Sequence, residues 1–369
     1  MLNQPPDDRA IAIALSRWKK TNGGGRGKLG IGNYTSGTAN LVQQALMNIG
    51  AETVATPLIG EDGTVDPQFK DVDVLVSGGT VLNGPVYDQL SCRMILRPYV
   101  GYNDINVPEA SERGILVCNV PDAYSEEVAM QALAFLMAAN RQIYAFDKIT
   151  RTGGWRSHMG DGRIIVHNSK AQTVGVVGFG RIGRIFGQRA KALGFKVIAT
   201  DPYVKQEDVA ELGIPLVPME QVLKESDYIS IHAFLWDETR HLMNADRLEM
   251  MKPGAWIINT ARGPIIEEPA LVDALRAGHL AGAGLDVFEV EPITDDNPLL
   301  KMDNVMIAPH IAVYSEEGQI RASKRAAQIA TAALNGQLPD PIPAIDKGLY
   351  TALAGGGIPV ANITTIPVP

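Results

Sequence analysis

Short apolar runs separated by helical patterns recur along most of this chain, and that alternation leaves few folds open. A first series comprises Leu29-Gly30-Ile31-Gly32, Thr53 to Pro57, Val72-Asp73-Val74-Leu75-Val76, Met94-Ile95-Leu96 and Ile115-Leu116-Val117, with a helix expected near 38–48. A second runs through Thr173 to Val177, Lys196 to Thr200, Tyr228 to His232, Ala255 to Asn259, Gly282 to Val287 and Val305 to Ala308. Strands that alternate with helices pair in parallel, because each returns through a crossover. The sequence therefore predicts an α/β protein with two doubly wound, Rossmann-like parallel sheets. A length of 369 residues agrees with two domains rather than one core.

Between the two series, Ser125 is a good N-cap, Glu126 and Glu127 suit the positive end of a helix dipole, and Val128, Ala129, Ala132, Leu133, Leu136 and Met137 repeat at helical spacing. A helix over 125–141 follows. Residues 151–170 carry Gly153-Gly154, Trp155, Met159 and Ile164-Ile165-Val166 without a clean period. They read as an irregular arm whose apolar groups need a partner surface, so a homodimer is expected. A last long helix starts at Ser315 and stops at Asn335-Gly336. The first 27 residues, with a helical pattern at 9–20 and a glycine-rich stretch from Asn22 to Gly27, read as an extension and linker. The proline- and glycine-rich residues 338–369 read as an irregular tail.

Charge and composition exclude several partners. A formal net charge of −8 argues against a broad nucleic-acid surface or an anionic membrane surface. No uninterrupted apolar run of about 18 residues and no basic segment before an apolar start is present, so no membrane span and a cytoplasmic location are expected. Two cysteines, Cys92 and Cys118, make neither a disulfide framework nor a four-cysteine metal site. No metal is expected.

Gly178-Phe179-Gly180-Arg181-Ile182-Gly183 follows an apolar strand and opens a helix. In that context Gly178 permits the tight turn, Gly180 lets a pyrophosphate approach the backbone, and Gly183 lets helix and strand pack closely. Asp201 ends the next strand, 18 residues beyond Gly183, near the spacing of a carboxylate that accepts from the ribose hydroxyls. It would repel a 2′-phosphate, which favours NAD over NADP. Arg181 and Lys205 are the cations that could accommodate that phosphate instead. Arg262, in Asn259-Thr260-Ala261-Arg262-Gly263, lies at the carboxyl end of a strand, where open parallel sheets bind ligands. Its guanidinium suits a substrate carboxylate or carbonyl, and a surface salt bridge is the plain alternative. Asp286, Glu291 and His310 also fall at strand ends. A histidine with a carboxylate partner can supply the proton that carbonyl reduction requires.

Four linked motifs make residues 28–337 resemble the D-isomer-specific 2-hydroxyacid dehydrogenases. They are Gly178 to Gly183 with Asp201, Thr239-Arg240-His241-Leu242 leading to Met251-Lys252-Pro253-Gly254, Asn259 to Gly263, and Gly284 to Pro292 followed by Pro309-His310. The resemblance implies a cofactor domain, 121–316, inserted in a flavodoxin-like substrate domain formed by 28–120 with 317–337. It implies an oxidoreductase that moves a hydride between NAD(H) and a small 2-keto or D-2-hydroxy acid. Arg262 would then bind the keto acid, His310 act as acid and base, and Glu291 pair with it. Asp286 would hold the nicotinamide carboxamide, with Arg181, Ile182, Thr239, Thr260 and Ala261 also at the cofactor. Val100 and Gly101 match a loop whose backbone N–H groups cradle a carboxylate, and Arg97, also expected at the substrate, matches an added charge in a corepressor branch of the family.

Asp201-Pro202-Tyr203, Cys118-Asn119-Val120-Pro121 and Tyr314-Ser315-Glu316 are similar to the branch that contains the C-terminal-binding proteins, corepressors with a dehydrogenase fold. That supplies a second reading, an NAD(H)-sensing binding protein with little turnover. The chain also departs from the pattern. Val313 stands where that branch has a tryptophan, Tyr99 where a small glycine is usual, and Asn103-Asp104 reverses the family's order. The intact Arg262, Glu291 and His310 favour the enzyme, because a binder does not need an acid and base.

Overall fold

The computed structural model describes residues 6–19, 27–32, 39–60, 62–155, 166–341 and 345–366, and of 39 and 40 only the backbone. The chain forms two compact units, Met1–Tyr124 with Ser315–Pro369, and Ser125–Tyr314. In the first, β1 (Lys28–Gly32), β2 (Glu52–Thr56), β3 (Val74–Ser77), β4 (Met94–Arg97) and β5 (Leu116–Asn119) form a sheet ordered β2-β1-β3-β4-β5. Every pairing is parallel. This is the flavodoxin-like order. Strands β3, β4 and β5 are buried along their whole length, which is why they read as continuous apolar runs rather than as alternating ones. The helix Glu316–Leu334 starts where Ser315 Oγ accepts from the N–H of Gly318 at 2.8 Å and packs against the helix Ala39–Met47.

Both ends of the chain correct the sequence reading. The N-terminal segment is not a detached extension, since its helix Asp8–Lys19 buries Ala10, Ala14 and Trp18 in the first unit. Arg17 Nη1 donates to the carbonyls of Leu90, at 3.2 Å, and Cys92, at 2.6 Å. A Cβ on Gly114 would lie 2.6 Å from the backbone nitrogen of Ala14, so this glycine makes room for the docked helix. Residues 338–369 are not an irregular tail either. Leu338–Asp340 pairs in parallel with Val360–Asn362, and the helix Lys347–Gly355 buries Leu349, Tyr350 and Leu353. Asp346 caps that helix by accepting from the N–H of Leu349 at 2.9 Å. Prolines 339 and 341 fit there because a two-stranded pair has free edges that need no donor. The two cysteines are buried free thiols.

In the second unit, β6 (Thr173–Val177), β7 (Lys196–Thr200), β8 (Tyr228–Ile231), β9 (Trp256–Asn259), β10 (Gly282–Leu285) and β11 (Val305–Ile307) form a parallel sheet ordered β7-β6-β8-β9-β10-β11. The order reverses between β6 and β8, which is where doubly wound sheets bind ligands. Apolar layers cover both faces. Within β9, Ile257 joins the layer of Leu271, Leu275 and Leu280, while Trp256 and Ile258 join that of Leu136, Phe179 and Phe186. The helix Ser125–Arg141 forms as expected and packs on β9 and β10. Of the arm expected at 151–170, residues 156–165 lie outside the described residues, and Trp155 is 72% exposed. Among the described residues no helix is long and apolar enough to cross a membrane.

The docked N-terminal helix makes a testable difference. Trp18→Ala is expected to lower the unfolding free energy by about 3–5 kcal/mol, the usual cost of emptying a buried aromatic site. A urea midpoint that moves by less than about 0.5 kcal/mol equivalent would show that the helix contributes no core.

Candidate active site

The carboxyl edge of the second sheet gathers most of the residues singled out in the sequence. At the end of β6 the three glycines are required for different reasons. Gly178 has φ of 90°, and a Cβ there would lie 2.5 Å from the nitrogen of Ala233. A Cβ on Gly183 would stand 2.1 Å from the carbonyl oxygen of Gly178. A Cβ on Gly180 would meet nothing within 4 Å, so this position faces open space immediately before the helix Arg181–Ala192. Asp201 follows β7 and closes the same loop. Its Oδ2 accepts from the N–H of Phe179 and its Oδ1 from that of Tyr203, both at 2.8 Å. Each oxygen keeps a lone pair for a further donor. Lys205 lies 3.4 Å from Glu207 in an exposed pair.

At the end of β9 the buried Asn259 shapes the next turn. Its Oδ1 accepts from the N–H of Ala261 at 3.0 Å and its Nδ2 donates to the carbonyl of Arg262 at 2.9 Å. Asparagine at a strand end is a turn former by this mechanism, a signal that also sits in the sequence. Arg262 Nη1 donates to the carbonyl of Ala261 at 2.7 Å. A Cβ on Gly263 would fall 1.7 Å from the carbonyl oxygen of Phe288, so only glycine lets this segment lie against the one that carries Glu291.

Glu291 and His310 meet as the sequence suggested. His310 Nδ1 is 2.7 Å from Glu291 Oε2, and Glu291 Oε1 accepts from the N–H of Phe288 at 2.9 Å. Burial alone would raise the Glu291 carboxyl. The hydrogen bonds from His310 and from Phe288, with the charges of His310 and Arg262, outweigh it and hold the group below the usual carboxylate range. The side chain of His310 is 44% exposed. With Nδ1 engaged, Nε2 is the nitrogen it can offer to a ligand. His232, at the end of β8, is pushed down to about 3 by burial and stays neutral, so it cannot take that part.

Two expected cofactor contacts have other tasks in this structure. Asp286 has no accessible surface, and its two oxygens accept from the N–H groups of Ile311 and Ala312, each at 3.0 Å. Its own carbonyl accepts from the N–H of His310 at 2.8 Å. It therefore anchors the turn on which His310 sits, at φ of 53°, and is not presented to a carboxamide. Burial raises its carboxyl, against the pull of those two N–H groups. Thr239 commits its hydroxyl to its own turn, donating to the carbonyl of Phe234 at 2.6 Å and accepting from the N–H of Trp236 at 2.8 Å.

The loop after β4 belongs to the first unit. Arg97 has no accessible surface. It pairs with Asp104 at 2.5 Å and lies 4.9 Å under the ring of Tyr99. Direct substrate contact by Arg97, as expected from the sequence, is thus ruled out by its cover. Val100 and Gly101 are partly exposed, and the carbonyl of Val100 is held by Asn119 Nδ2 at 2.9 Å.

Residues 133–312 match the NAD binding domain of the D-isomer specific 2-hydroxyacid dehydrogenases. A glyoxylate reductase of Korarchaeum cryptofilum is 39% identical over 277 residues, covering 74% of this chain and 82% of that protein. The chain belongs to the D-isomer specific 2-hydroxyacid dehydrogenase family. A glyoxylate reductase of Thermococcus litoralis is 38% identical over 298 residues, covering 79% of this chain and 88% of that one. A D-lactate dehydrogenase from Aquifex aeolicus, solved with NAD and lactic acid, superposes with a TM-score of 0.74 at 27% identity, covering 84% of this chain and 96% of its own. NAD is accordingly the family's cofactor, and the residues here fit it. Gly180 leaves a cradle open at the start of the helix Arg181–Ala192, where a helix offers N–H groups to an anion, and the buried Oγ1 of Thr260 has no protein partner among the described residues.

The glycines predict two distinguishable failures. Gly183→Ala should lower both the melting temperature and NADH affinity, since its Cβ collides with protein. Gly180→Ala should leave the melting temperature unchanged and weaken NADH by about tenfold or more, equivalent to about 1.4 kcal/mol. Fluorescence titration of NADH beside thermal melts reads both, and unaltered NADH binding in Gly180→Ala would remove the cradle from the site.

Proposed function

We propose that this protein reduces a small 2-keto acid to the 2-hydroxy acid with NADH, and that glyoxylate is the substrate to test first. The observation that carries the reading is the His310–Glu291 pair at 2.7 Å, with the imidazole exposed and the carboxylate held in its charged form. Such a pair stores and delivers a proton, and a binding module has no use for it. The glyoxylate reductases that match over most of their length support the substrate class.

In this reading NAD(H), when bound, exchanges a hydride with carbon 2 of the acid. Gly178, Gly180, Gly183, Arg181 and Ile182 line its phosphate end, and Asp201 accepts from the ribose. Thr260 and Ala261 would be further contacts for it. His310 Nε2 donates a proton to the carbonyl oxygen as the carbon accepts hydride, and recovers one in the reverse direction. Glu291 fixes the orientation of the imidazole through Nδ1. Arg262 holds the carboxylate with two parallel hydrogen bonds, a geometry that lysine cannot reproduce. Val100 and Gly101, on the loop after β4 of the first unit, offer backbone N–H groups suited to a carboxylate. The exposed Trp155 supports association of two copies, and a cytoplasmic location agrees with the chemistry.

The three residues are expected to fail differently. In NADH-oxidation assays with glyoxylate, His310→Asn should lower kcat by about 10²–10⁴ while NADH binding survives. Arg262→Lys should raise KM and lower kcat together. Glu291→Gln should lower kcat with a smaller change in KM, because the imidazole loses the carboxylate that orients it through Nδ1. Turnover near the parental value in His310→Asn, or no reduction of any small 2-keto acid by the parent, would overturn the proposal.

Coenzyme choice is a separate expectation. A 2′-phosphate beside Asp201 would set two negative charges together, which should cost about a hundredfold or more in kcat/KM with NADPH. Equal efficiency with the two coenzymes would show that Arg181 or Lys205 governs the ribose site.

A further inference from the structure

One face of the helix Glu316–Leu334 is basic, in a chain whose formal net charge is −8. Arg321, Lys324, Arg325 and Gln328 follow one another at helical spacing, whereas Ala322, Ala326 and Ile329, on the other side of the helix, are buried in the core. The four residues line a recess of about 250 Å³. Its other walls are Asp122 with Ala123, and Thr364 close to the end of the chain. All of these residues belong to the first unit, so the recess is complete within it.

The walls are fixed by hydrogen bonds that leave donors over. Asn362 Oδ1 accepts from the N–H and the hydroxyl of Thr364, at 3.1 and 2.7 Å, and holds the one-turn helix Ile363–Thr365 in shape. Gln328 is 3% exposed, and its Nε2 donates to the carbonyl of Ile366 at 3.1 Å, so a buried amide ties the long helix to that turn. An amide nitrogen carries two N–H groups, and this contact uses one. On the opposite wall, Nε and Nη2 of Arg321 donate to the carbonyl of Ala123 at 3.2 and 3.0 Å, which sets that guanidinium in place. Arg325 meets Asp122 through a single nitrogen, Nη2, 3.3 Å from Oδ2. A guanidinium has five N–H donors, so most of those on Arg325 are left for another acceptor. Lys324 is exposed and makes no hydrogen bond or ion pair among the described residues.

We infer that this recess binds a phosphate dianion, free or as the monoester of a small alcohol. Its lining has three cationic side chains against one carboxylate, which selects an anion. Guanidinium forks and an ammonium group match phosphate oxygens, and the donors stand on two successive helical turns, where a tetrahedral group can meet more of them than a planar carboxylate can. The ligand is small, since pockets for drug-sized molecules start at about 300 Å³. Asp122 competes with it for Arg325. Thr364 and Ile366 supply one side of the site, which gives the C-terminal segment a task besides covering the core.

The test uses the full chain saturated with NADH, so that the dinucleotide's own phosphate site is filled. Inorganic phosphate and glycerol 3-phosphate are the probes, titrated by calorimetry with sodium chloride holding the ionic strength constant. Lys324→Ala and Arg325→Gln should each weaken binding by about tenfold or more, the weight of a hydrogen bond to a charged group. Lys324 holds no other residue, so its variant should melt with the parent. Asp122→Asn should tighten binding by about threefold or more, the range of an exposed ion pair, because the carboxylate that competes for Arg325 is gone. A cluster with a purely structural role would not respond in that direction. Tighter binding of glycerol 3-phosphate than of phosphate would identify an ester as the ligand, and the reverse order would identify the free ion, and both support the site. Absence of binding heat with either probe at about 10 mM, where even a millimolar site is filled, would overturn the inference. So would an affinity left unchanged by Lys324→Ala or by Asp122→Asn.

Discussion

At the carboxyl edge of the second sheet, side-chain acceptors take over where the β ladder stops. Asp201 receives two backbone N–H groups after β7, Asn259 one after β9, and Asp286 two after β10. Where the fold covers these N–H groups, as it does that of Ala312, each would otherwise be left without a partner inside the protein, at about 1–3 kcal/mol apiece. The turns that present Arg262, Glu291 and His310 are therefore specified by polar groups beneath them rather than by apolar packing. Asp286 is the extreme case. Burial works against its charge, yet its two oxygens and its carbonyl together bind three successive N–H groups, from His310 to Ala312. That is what allows a non-glycine residue to sit at positive φ with its imidazole facing outward.

The parts of this arrangement that were legible in the sequence are those set by local chemistry. Each strand of both sheets coincides with an apolar run, and Gly178, Gly183 and Gly263 stand where a Cβ would strike backbone. The Glu291–His310 pair was legible because both residues fall at the ends of adjacent strands, which the parallel topology brings together. The unreadable parts depend on contacts between segments remote in sequence. The helix Asp8–Lys19 buries residues spaced four apart, Ala10, Ala14 and Trp18, but the glycine-rich stretch after it looks like a release point. The surface that receives the helix, around Gly114 and Leu90, leaves no trace in the N-terminal sequence. Arg97 was misread for the same reason. A charge in a ligand-binding loop suggests contact with the ligand, and only the fold shows that Tyr99 covers it and Asp104 neutralises it.

Two glutamates in one short segment illustrate how little separates a structural carboxylate from a chemical one. Glu289 Oε2 accepts from the N–H of Glu268 at 3.1 Å, while the N–H of Glu289 donates back to Glu268 Oε2 at 3.0 Å, and its Oε1 lies 2.5 Å from His241 Nε2. The residue thus stitches the segment to the start of the helix Glu268–Arg276 and to the turn before Leu242. Glu291, two residues on, has one oxygen on a backbone N–H and the other on an imidazole whose far nitrogen can reach a ligand. Both are histidine–carboxylate pairs by composition. The difference lies in the histidine. The N–H of His241 donates to the carbonyl of Pro264 and ties its turn to the neighbouring segment, whereas His310 rides on a turn held from below by Asp286. The first pair is spent on joining two segments. The second, whose turn is secured by a third carboxylate, leaves one imidazole nitrogen for a ligand, and that is what a proton donor requires.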